Sequence, residues 1–284
     1  MNYGKRSTSK KRNALISRTS MLEKRAHVSF IRVLFTALIA VCVMVVCLGI
    51  GSFRGVIAGA PDVNDVDISP LGYATFLYDD QGTQIRQLSA PTSNRLPVSL
   101  DQIPVSLQHA VVAIEDERFY EHNGIDVRGI ARAGMKAITT GNFSEGASTI
   151  TQQLVKNMYY DQNKTFARKA AEAWTALYVE RQLSKEEILE LYINTIYFGD
   201  GYYGLKEASL GYFGKEPQDL TDSEAVLLAG IPNAPSAYAP SRHADLALQR
   251  EKQVLAAMVK YGYLEQSETD SLLWDAAADP VLAR

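Results

Sequence analysis

The sequence predicts a mainly α extracytoplasmic domain that follows a single transmembrane anchor and a short β-hairpin stalk. Three observations predict this: an uncharged run at residues 33–53, a turn signal between strand-like runs near residues 73–88, and helical apolar spacing with repeated capping signals from residue 98 onward. A hydrophobic fraction of 46% over 284 residues is typical of a folded chain. The predicted boundaries are 1–32 for a basic tail, 33–53 for the anchor, 54–97 for the stalk and 98–284 for the domain.

The anchor prediction includes an orientation. Residues 1–32 contain nine Lys or Arg and one acid, Glu23. The positive-inside rule therefore predicts a cytoplasmic N-terminus, a single-pass type II protein in a cell membrane and an extracytoplasmic domain. A cleaved signal peptide is the alternative, since Ala58-Gly59-Ala60 resembles a cleavage site, although Pro61 follows it directly. The remaining 20 basic and 31 acidic residues give a net charge of −11, which argues against nucleic acid as a partner.

The stalk is predicted as a hairpin because Asp79-Asp80-Gln81-Gly82 separates two short strand-like runs. Beyond it, apolar residues at positions 107, 111 and 114 predict a helix that ends at Gly124. Asp126 is expected to cap the next helix, which ends at Gly141. Capping boxes at 149–152, 184–187 and 221–224 predict further helix starts. The later helices are expected near 150–159, 166–182, 185–197, 222–230 and 244–261.

Neither the glycine pattern nor the histidines of the sequence indicate a binding site. The glycine pattern at 199–204 matches G-x-G-x-x-G, but it follows a helix, so a turn is predicted there. The four histidines show no metal-ligand spacing, so no metal site built from protein ligands alone is predicted.

Two charged clusters have an ordinary and a functional interpretation. Residues 115–126 place five acids and His122 around a helix end, which a solvated surface would explain equally well. The apolar neighbours of Glu115 favour a carboxylate against a core wall, as a general base requires. Arg168 and Glu172 are spaced i, i+4, so a surface ion pair is the ordinary explanation.

Five blocks in order resemble the family 51 glycosyltransferases, the peptidoglycan glycosyltransferases. The family includes stand-alone membrane enzymes and the polymerase domain of class A penicillin-binding proteins. The blocks are E-D-x-x-F-x-x-H-x-G-x-D at 115–126, G-x-S-T-I-T-Q-Q-x-x-K-N at 146–157, R-K-x-x-E at 168–172, K-x-x-I-x-x-x-Y-x-N at 185–194 and R-x-x-x-V-L at 250–255. The resemblance covers about residues 98–262. Ala147 replaces the usual second Gly of the second block.

The resemblance implies a lysozyme-like fold whose cleft separates a larger lobe from a smaller membrane-proximal lobe. Met135, Ala137 and Ile138 are candidates for contact with lipid, and a buried core role fits them equally well. The implied reaction polymerises lipid II into β-1,4 glycan strands of peptidoglycan. It inverts the donor anomeric carbon, and undecaprenyl diphosphate leaves. In this reaction Glu115 is the expected general base, which takes the proton of the acceptor hydroxyl. No protonated acid is expected, because diphosphate leaves as a stable anion and is assisted by cations instead.

The polar run that begins the fourth predicted helix then serves as a substrate grip, because a helix N-terminus offers free N–H groups to a diphosphate. Glu172 is expected to orient the basic groups, or an Mg²⁺ or Mn²⁺ bound together with the diphosphate; no organic cofactor is expected. Tyr192 and Asn194 resemble cleft-wall residues, although Tyr192 also fits a core stripe; the role of Arg250 stays open. The expected catalytic residues are Glu115 and Glu172, and the expected substrate-binding residues are Asp116, Phe119, His122, Ser148, Thr149, Gln152, Gln153, Lys156, Asn157, Lys164, Arg168 and Lys169.

The expected partners are lipid II, the growing lipid-linked glycan, the membrane and cell-wall synthesis proteins, including a transpeptidase. No K-T-G occurs in the 284 residues, and S-x-x-K occurs only at Ser7 to Lys10, so no transpeptidase site is predicted in this sequence. A lytic hydrolase and a non-catalytic wall scaffold are the alternatives. A hydrolase of neutral sugars would not need Lys156 and Arg168, and a scaffold would tolerate the loss of Glu115.

Overall fold

The computed structural model describes residues 32–51, 54–55, 75–81, 84–88, 95–141, 146–160 and 165–274. The chain divides into two compact units, residues 1–58 and 59–284. Residues 1–31 of the basic tail, the Ala58-Gly59-Ala60 motif and Lys164 lie outside the described residues. The predictions made for them therefore stay predictions.

The first unit contains helix α1, Arg32–Gly51. Its mean hydropathy is 3.0, and its apolar side chains are exposed along the whole helix. The Thr36 hydroxyl donates to the Arg32 carbonyl oxygen at 3.0 Å, so its polar group is satisfied within the helix. By length and composition, α1 is a candidate membrane span.

The second unit begins with the predicted hairpin. Strands β1 (Thr75–Tyr78) and β2 (Gln84–Leu88) pair antiparallel, with Thr75 opposite Leu88. An irregularity follows Leu77 in the register. In the turn, the Asp79 carboxylate accepts a hydrogen bond of 3.0 Å from the Gln81 amide, as expected of an Asp that begins a turn.

The rest of the unit is helical, which confirms the mainly α prediction. Short 3-10 segments lie at Leu100–Gln102, Pro217–Asp219, Ile231–Asn233 and Gln266–Leu272. The α-helices are α2 (Val105–Glu115), α3 (Val127–Thr140), α4 (Ile150–Tyr159), α5 (Phe166–Gln182), α6 (Lys185–Thr195), α7 (Leu205–Phe213), α8 (Asp222–Gly230), α9 (Pro235–Tyr238) and α10 (Ala244–Lys260).

The first predicted helix boundary is wrong. Helix α2 ends at Glu115 rather than continuing to Gly124, because the Asp116 backbone leaves helical geometry and its carboxylate binds elsewhere. Gly124 adopts a φ of +85°, and a Cβ there would lie 2.8 Å from the Ala176 carbonyl oxygen. Glycine is therefore required at this turn. The predicted limits of α3 are confirmed, with the Asp126 side chain at its N-cap and Gly141 in the left-handed conformation at its end.

All three predicted capping boxes are present, at the starts of α4, α6 and α8. Helix α6 ends at Thr195, two residues before the predicted limit. Helix α7 was not predicted; it begins after Gly204 and ends at Gly214, both with positive φ. The predicted glycine turn at 199–204 is confirmed, and a single bridge between Tyr197 and Tyr203 closes it.

Two groups of helices share one continuous core. Helix α2 packs on α8 and α10, and α4 packs on α5 and α6. Leu107, Leu154, Ile188, Leu227 and Val254 are fully buried representatives of these helices. Burial of their apolar surface is the main stabilising contribution. The packing brings the C-terminal end of α2 to the N-terminal end of α4, where the charged blocks meet.

Candidate active site

A cavity of about 620 Å³ lies where several helix ends converge. The ends of α2 and α10, the start of α3, the first two turns of α4 and the segment that follows α8 form its walls. A volume of this size suits an organic ligand. Its charged or polar lining residues are Glu115, Asp116, Glu117, Asp126, Arg132, Ser148, Thr149, Gln153, Lys156, Asn233, Arg250, Lys260 and Tyr261.

Glu115 is the last residue of α2 and lines the cavity. The side-chain amide of Gln153, one turn into α4, donates to Glu115 Oε2 at 2.7 Å. Glu115 Oε1 is buried and accepts no hydrogen bond among the described residues. A buried carboxylate oxygen without a donor is costly, so a ligand hydroxyl has a ready acceptor here.

Asp116, the residue after Glu115, binds groups on α4 and on the segment between α2 and α3. Its Oδ2 accepts from the backbone amide of Ile150 at 3.0 Å, which ties the end of α2 to the start of α4. The His122 Nε2 atom lies 3.0 Å from both carboxylate oxygens of Asp116. Phe119 is fully buried in the core below them. Asp116 therefore reaches the cavity wall, whereas Phe119 and His122 lie outside the lining.

Thr149 and Gln152 form the capping box of α4. The Thr149 hydroxyl accepts from the Gln152 amide at 3.1 Å and donates to the Gly124 carbonyl oxygen at 2.7 Å. The Gln152 side chain accepts from the Thr149 amide at 3.2 Å. Both side chains are buried and occupied by the fold, and of the two only Thr149 lines the cavity.

Glu172, on α5, is 0% exposed and lies between two cations. Arg168, one turn earlier, forms an ion pair with its Oε1, and the Lys169 ammonium lies 3.2 Å from its Oε2. Lys169 also donates to the Ser148 hydroxyl at 2.7 Å. Ser148 lines the cavity, so this ion-pair cluster borders the cavity through that contact.

Lys156 brings a third positive charge to the same end of the cavity. Burial and the charge of Arg168 lower its pKa, while Glu115 acts in the opposite direction. Burial, Lys156 and Arg168 lower the pKa of Lys169. Cations that repel one another in a partly buried site favour an anionic ligand between them. Lys156, Arg168 and Lys169 are named the cation set below.

The structure thus brings together six predicted residues as cavity lining and three beside it. Asn157 is exposed and lies outside the lining, and Gln152, Phe119 and His122 lie behind the wall. The lining residues are Glu115, Asp116, Ser148, Thr149, Gln153 and Lys156, and the adjacent ones are Arg168, Lys169 and Glu172.

A second group of cavity-lining residues was missed by the sequence-based reasoning. Glu117 pairs with Arg132 and with Arg118, the latter at 2.5 Å, and accepts from the Tyr261 hydroxyl. Lys260 donates to Tyr261 at 2.6 Å. These residues belong to the segment between α2 and α3, to α3 itself and to the C-terminal end of α10 with the residue that follows it, which no sequence spacing brings together.

Asp126 and Arg250 also line the cavity, and both carried a sequence signal. Besides capping α3, Asp126 forms an ion pair with Arg118. Burial alone would raise the pKa of Asp126, but the hydrogen bonds from Arg118 and the Gly129 amide lower it. Arg250 lines the cavity and donates to the Gly230 carbonyl oxygen at 3.3 Å; its place in the fifth block was the available signal.

Two residues expected in the cleft wall lie elsewhere. Asn194 is buried and uses both ends of its amide to hold the Val98 backbone, at 2.9 and 2.7 Å. Tyr192 is fully buried in the core, in agreement with the core-stripe interpretation, and its hydroxyl reaches Gln153 Oε1 at 3.4 Å. Neither residue is among those that line the cavity.

The protein ligands near Glu172 do not fit a dedicated divalent metal site. Both carboxylate oxygens of Glu172 face cations, which compete with a metal ion. Mg²⁺ and Ca²⁺ need several oxygen ligands, and the described parts of the chain contain no group of three residues suited to a metal ion. An ion bound mainly by a substrate diphosphate stays a prediction.

The comparisons with known proteins agree with this geometry. Residues 81–259 match the profile of a family described as transglycosylase. The chain is 45% identical over 192 residues to penicillin-binding protein 1F of Bacillus subtilis, covering 68% of this chain and 27% of that protein. It is 46% identical over 176 residues to a presumed transglycosylase of Cupriavidus necator, covering 62% of this chain and 76% of that protein.

The solved structures that are similar to this chain include penicillin-binding protein 1A from Haemophilus influenzae. The identity is 25% and the TM-score 0.41, over 72% of this chain and 21% of that one. The chain spans about a quarter of the length of the penicillin-binding proteins that it matches, 27% and 28% for two of them.

Proposed function

Because the chain belongs to the transglycosylase family, we propose that it is a peptidoglycan glycosyltransferase that polymerises lipid II into β-1,4 glycan strands. The observation that carries the proposal is an unoccupied carboxylate oxygen in a cavity that Lys156 lines and the rest of the cation set borders. Glycosyl transfer from a lipid diphosphate requires both groups: one accepts a proton and the other receives the departing negative charge.

Glu115 is the proposed general base. Its Oε1 atom takes the proton of the acceptor 4-hydroxyl while that oxygen attacks the anomeric carbon of the donor. The new C–O bond forms as the bond to the diphosphate breaks, with inversion and without a covalent glycosyl-enzyme. The free Oε1 supports this role, because the base needs one oxygen without a competing donor.

The cation set is the proposed site for the donor diphosphate. Lys156 contacts the cavity directly, and Lys169 reaches it through Ser148. Undecaprenyl diphosphate then leaves as an anion held by fixed positive charges, so no acid is required. Glu172 orients Arg168 and Lys169 rather than meeting the substrate, because both cations contact its carboxylate. An Mg²⁺ or Mn²⁺ bound through the diphosphate would add positive charge there.

A membrane location is proposed for the catalytic unit. In helix α3, Met135 is 69% exposed and Ile138 86% exposed, while Ala137 is buried. Exposed apolar side chains alternate there with Arg128 and Lys136, a pattern typical of helices that lie in a lipid interface. With α1 as a type II anchor, the domain would meet lipid II at the outer face, where tethering raises the effective concentration. A transpeptidase is the proposed partner, since it would crosslink the product strands.

The decisive test is polymerisation of fluorescent lipid II by the detergent-solubilised full chain and by Glu115→Gln. We expect glycan ladders from the wild type and a loss of about 10²-fold to 10⁴-fold in rate from the variant. The matched control is Glu216→Gln, which alters a surface ion pair with Lys206 and should retain activity.

Three outcomes would contradict the proposal. Ladders from Glu115→Gln at the wild-type rate would remove Glu115 from the mechanism. Shortening of preformed glycan would indicate a lytic hydrolase. Absence of any ladder from the wild type, with lipid II binding intact, would favour a scaffold.

A further inference from the structure

Glu115 is reached by a chain of two hydrogen bonds that starts in the core. The Tyr192 hydroxyl donates to Gln153 Oε1 at 3.4 Å, and Gln153 Nε2 donates to Glu115 Oε2 at 2.7 Å. The three residues come from α6, α4 and α2. These two hydrogen bonds therefore connect Glu115 to the core-facing side of α6.

These two hydrogen bonds have a direction, because a carboxylate such as Glu115 only accepts. Burial, then the charges of Glu115 and Asp116, raise the pKa of Tyr192 well above its ordinary value of 10. Its hydroxyl therefore keeps its proton at any physiological pH. A side-chain amide has one accepting and one donating end, so its NH₂ group faces the Glu115 carboxylate and its Oε1 accepts from Tyr192.

The orientation of the amide decides which oxygen of Glu115 is available. With Gln153 on Oε2, only Oε1 is left without a partner among the described residues. With the amide reversed, two oxygens would face each other at 2.7 Å, and the carboxylate would be pushed out of place. A carboxylate fixed through one oxygen presents the other in a constant position, which proton transfer requires.

We propose that Gln153 is a positioning residue for Glu115, held in its orientation by Tyr192, rather than a side chain that grips the sugar. This inference rests on the proposed function, and it changes the role expected for Gln153. The Gln153 amide already has a partner at each end within the fold, which fixes the side chain and leaves one N–H and one oxygen lone pair for other contacts.

The test measures kcat, KM and the pH–rate profile for lipid II in the full-length wild type, Gln153→Met and Tyr192→Phe. For Gln153→Met we expect kcat to fall roughly 10-fold to 100-fold with little change in KM. The acid limb of the profile should move to higher pH, because loss of a donated hydrogen bond favours the protonated carboxylic acid. Tyr192→Phe should move kcat and the limb in the same direction by a smaller amount.

Tyr160→Phe is the matched control. Like Tyr192→Phe, it removes a tyrosine hydroxyl. The Tyr160 hydroxyl lies 3.0 Å from Thr175 Oγ1, at the other end of α4 from Glu115. Its kcat and acid limb should equal those of the wild type. Thermal midpoints of all three variants separate a positioning defect from misfolding, and Gln153→Ala gives a second probe if the Met variant fails to fold.

The outcomes separate this inference from the proposed function. A rise in KM with unchanged kcat and an unmoved acid limb would make Gln153 a substrate grip and overturn the inference. Wild-type activity that is abolished by Glu115→Gln but retained with an unmoved limb in Gln153→Met would also overturn it, while the proposed function stands. No glycan from the wild type would overturn the proposed function itself.

Discussion

Two fully buried glutamates show how differently this fold treats the same side chain. Glu172, on α5, is 0% exposed and contacts Arg168 and Lys169. Glu251, on α10, is also 0% exposed, but within the described part of the chain it accepts only from the Trp274 backbone amide, at 3.1 Å for each oxygen. Burial raises the pKa of Glu251 to about 7. The neighbours of a buried carboxylate, rather than its burial, decide whether it is kept as a charge.

The two glutamates therefore have different roles. Glu172 belongs to a charged site, and Glu251 holds a segment of the chain in place. The region around Glu172 holds positive groups beside the cavity, whereas Glu251 anchors the segment that ends at Trp274 against α10. Trp274 in turn packs on Phe213, with ring centroids 6.4 Å apart. The charged partners of Glu172 on α5 therefore indicate ligand chemistry, and the backbone donor that Trp274 offers to Glu251 indicates a structural role.

The largest effect is expected from Arg168→Met, which leaves Glu172 buried with one cation. Removing one partner of a buried ion pair leaves an uncompensated charge, so we expect a loss of about 3 kcal/mol of stability. Thermal denaturation of the detergent-solubilised full chain measures it. Arg242→Met, which removes an exposed partner of Asp200, is the control and should cost little. Equal effects from the two variants would erase the contrast between the regions.

A pH effect is expected next, at Glu251. The unfolded chain loses this proton near the ordinary pKa of 4.5, whereas the folded chain keeps it up to about 7. The folded state therefore binds more protons in that window, and this group's contribution to stability falls as pH rises from 4.5 to 7. Glu251→Gln keeps an acceptor for the Trp274 amide and removes the titration.

The stability difference between Glu251→Gln and wild type should thus shift in favour of the variant as pH rises through this window. Thermal midpoints measured at pH 5 and pH 8 provide the readout, with Glu216→Gln as a surface control. If the stability difference between variant and wild type does not change with pH, the Glu251 carboxylate has a compensating cation, and the contrast with Glu172 is lost.

The smallest effect on stability is expected from Lys169→Met. The Lys169 side chain is 45% exposed, so its ion pair with Glu172 is screened by water, and we expect a change below about 1 kcal/mol. Its contact with Ser148 predicts a different readout, a rise of roughly tenfold or less in KM for lipid II. Ser148→Ala should give a similar but smaller rise. A large loss of stability with unchanged KM would assign Lys169 to the fold instead of the cation set.

Local signals in the sequence predicted much of the fold. Capping boxes need only residues three positions apart, and they correctly place the starts of α4, α6 and α8. The same reasoning failed at the end of α2, because the partner that stops this helix, the Ile150 amide, is 34 residues from Asp116. A local pattern contains no information about such a partner.

The sequence by itself determined the candidate span, the hairpin, most helix starts and the residue types of the site, because these depend on hydrophobic period and short-range hydrogen bonds. It also contained Glu115, Gln153 and the cation set as spaced blocks. Only the tertiary structure decided that Glu115 keeps one oxygen free among the described residues, that Tyr192 reaches Gln153 from the core, and that residues of α10 line the cavity. These relations depend on the packing of helices distant in sequence, and spacing along one helix does not specify it.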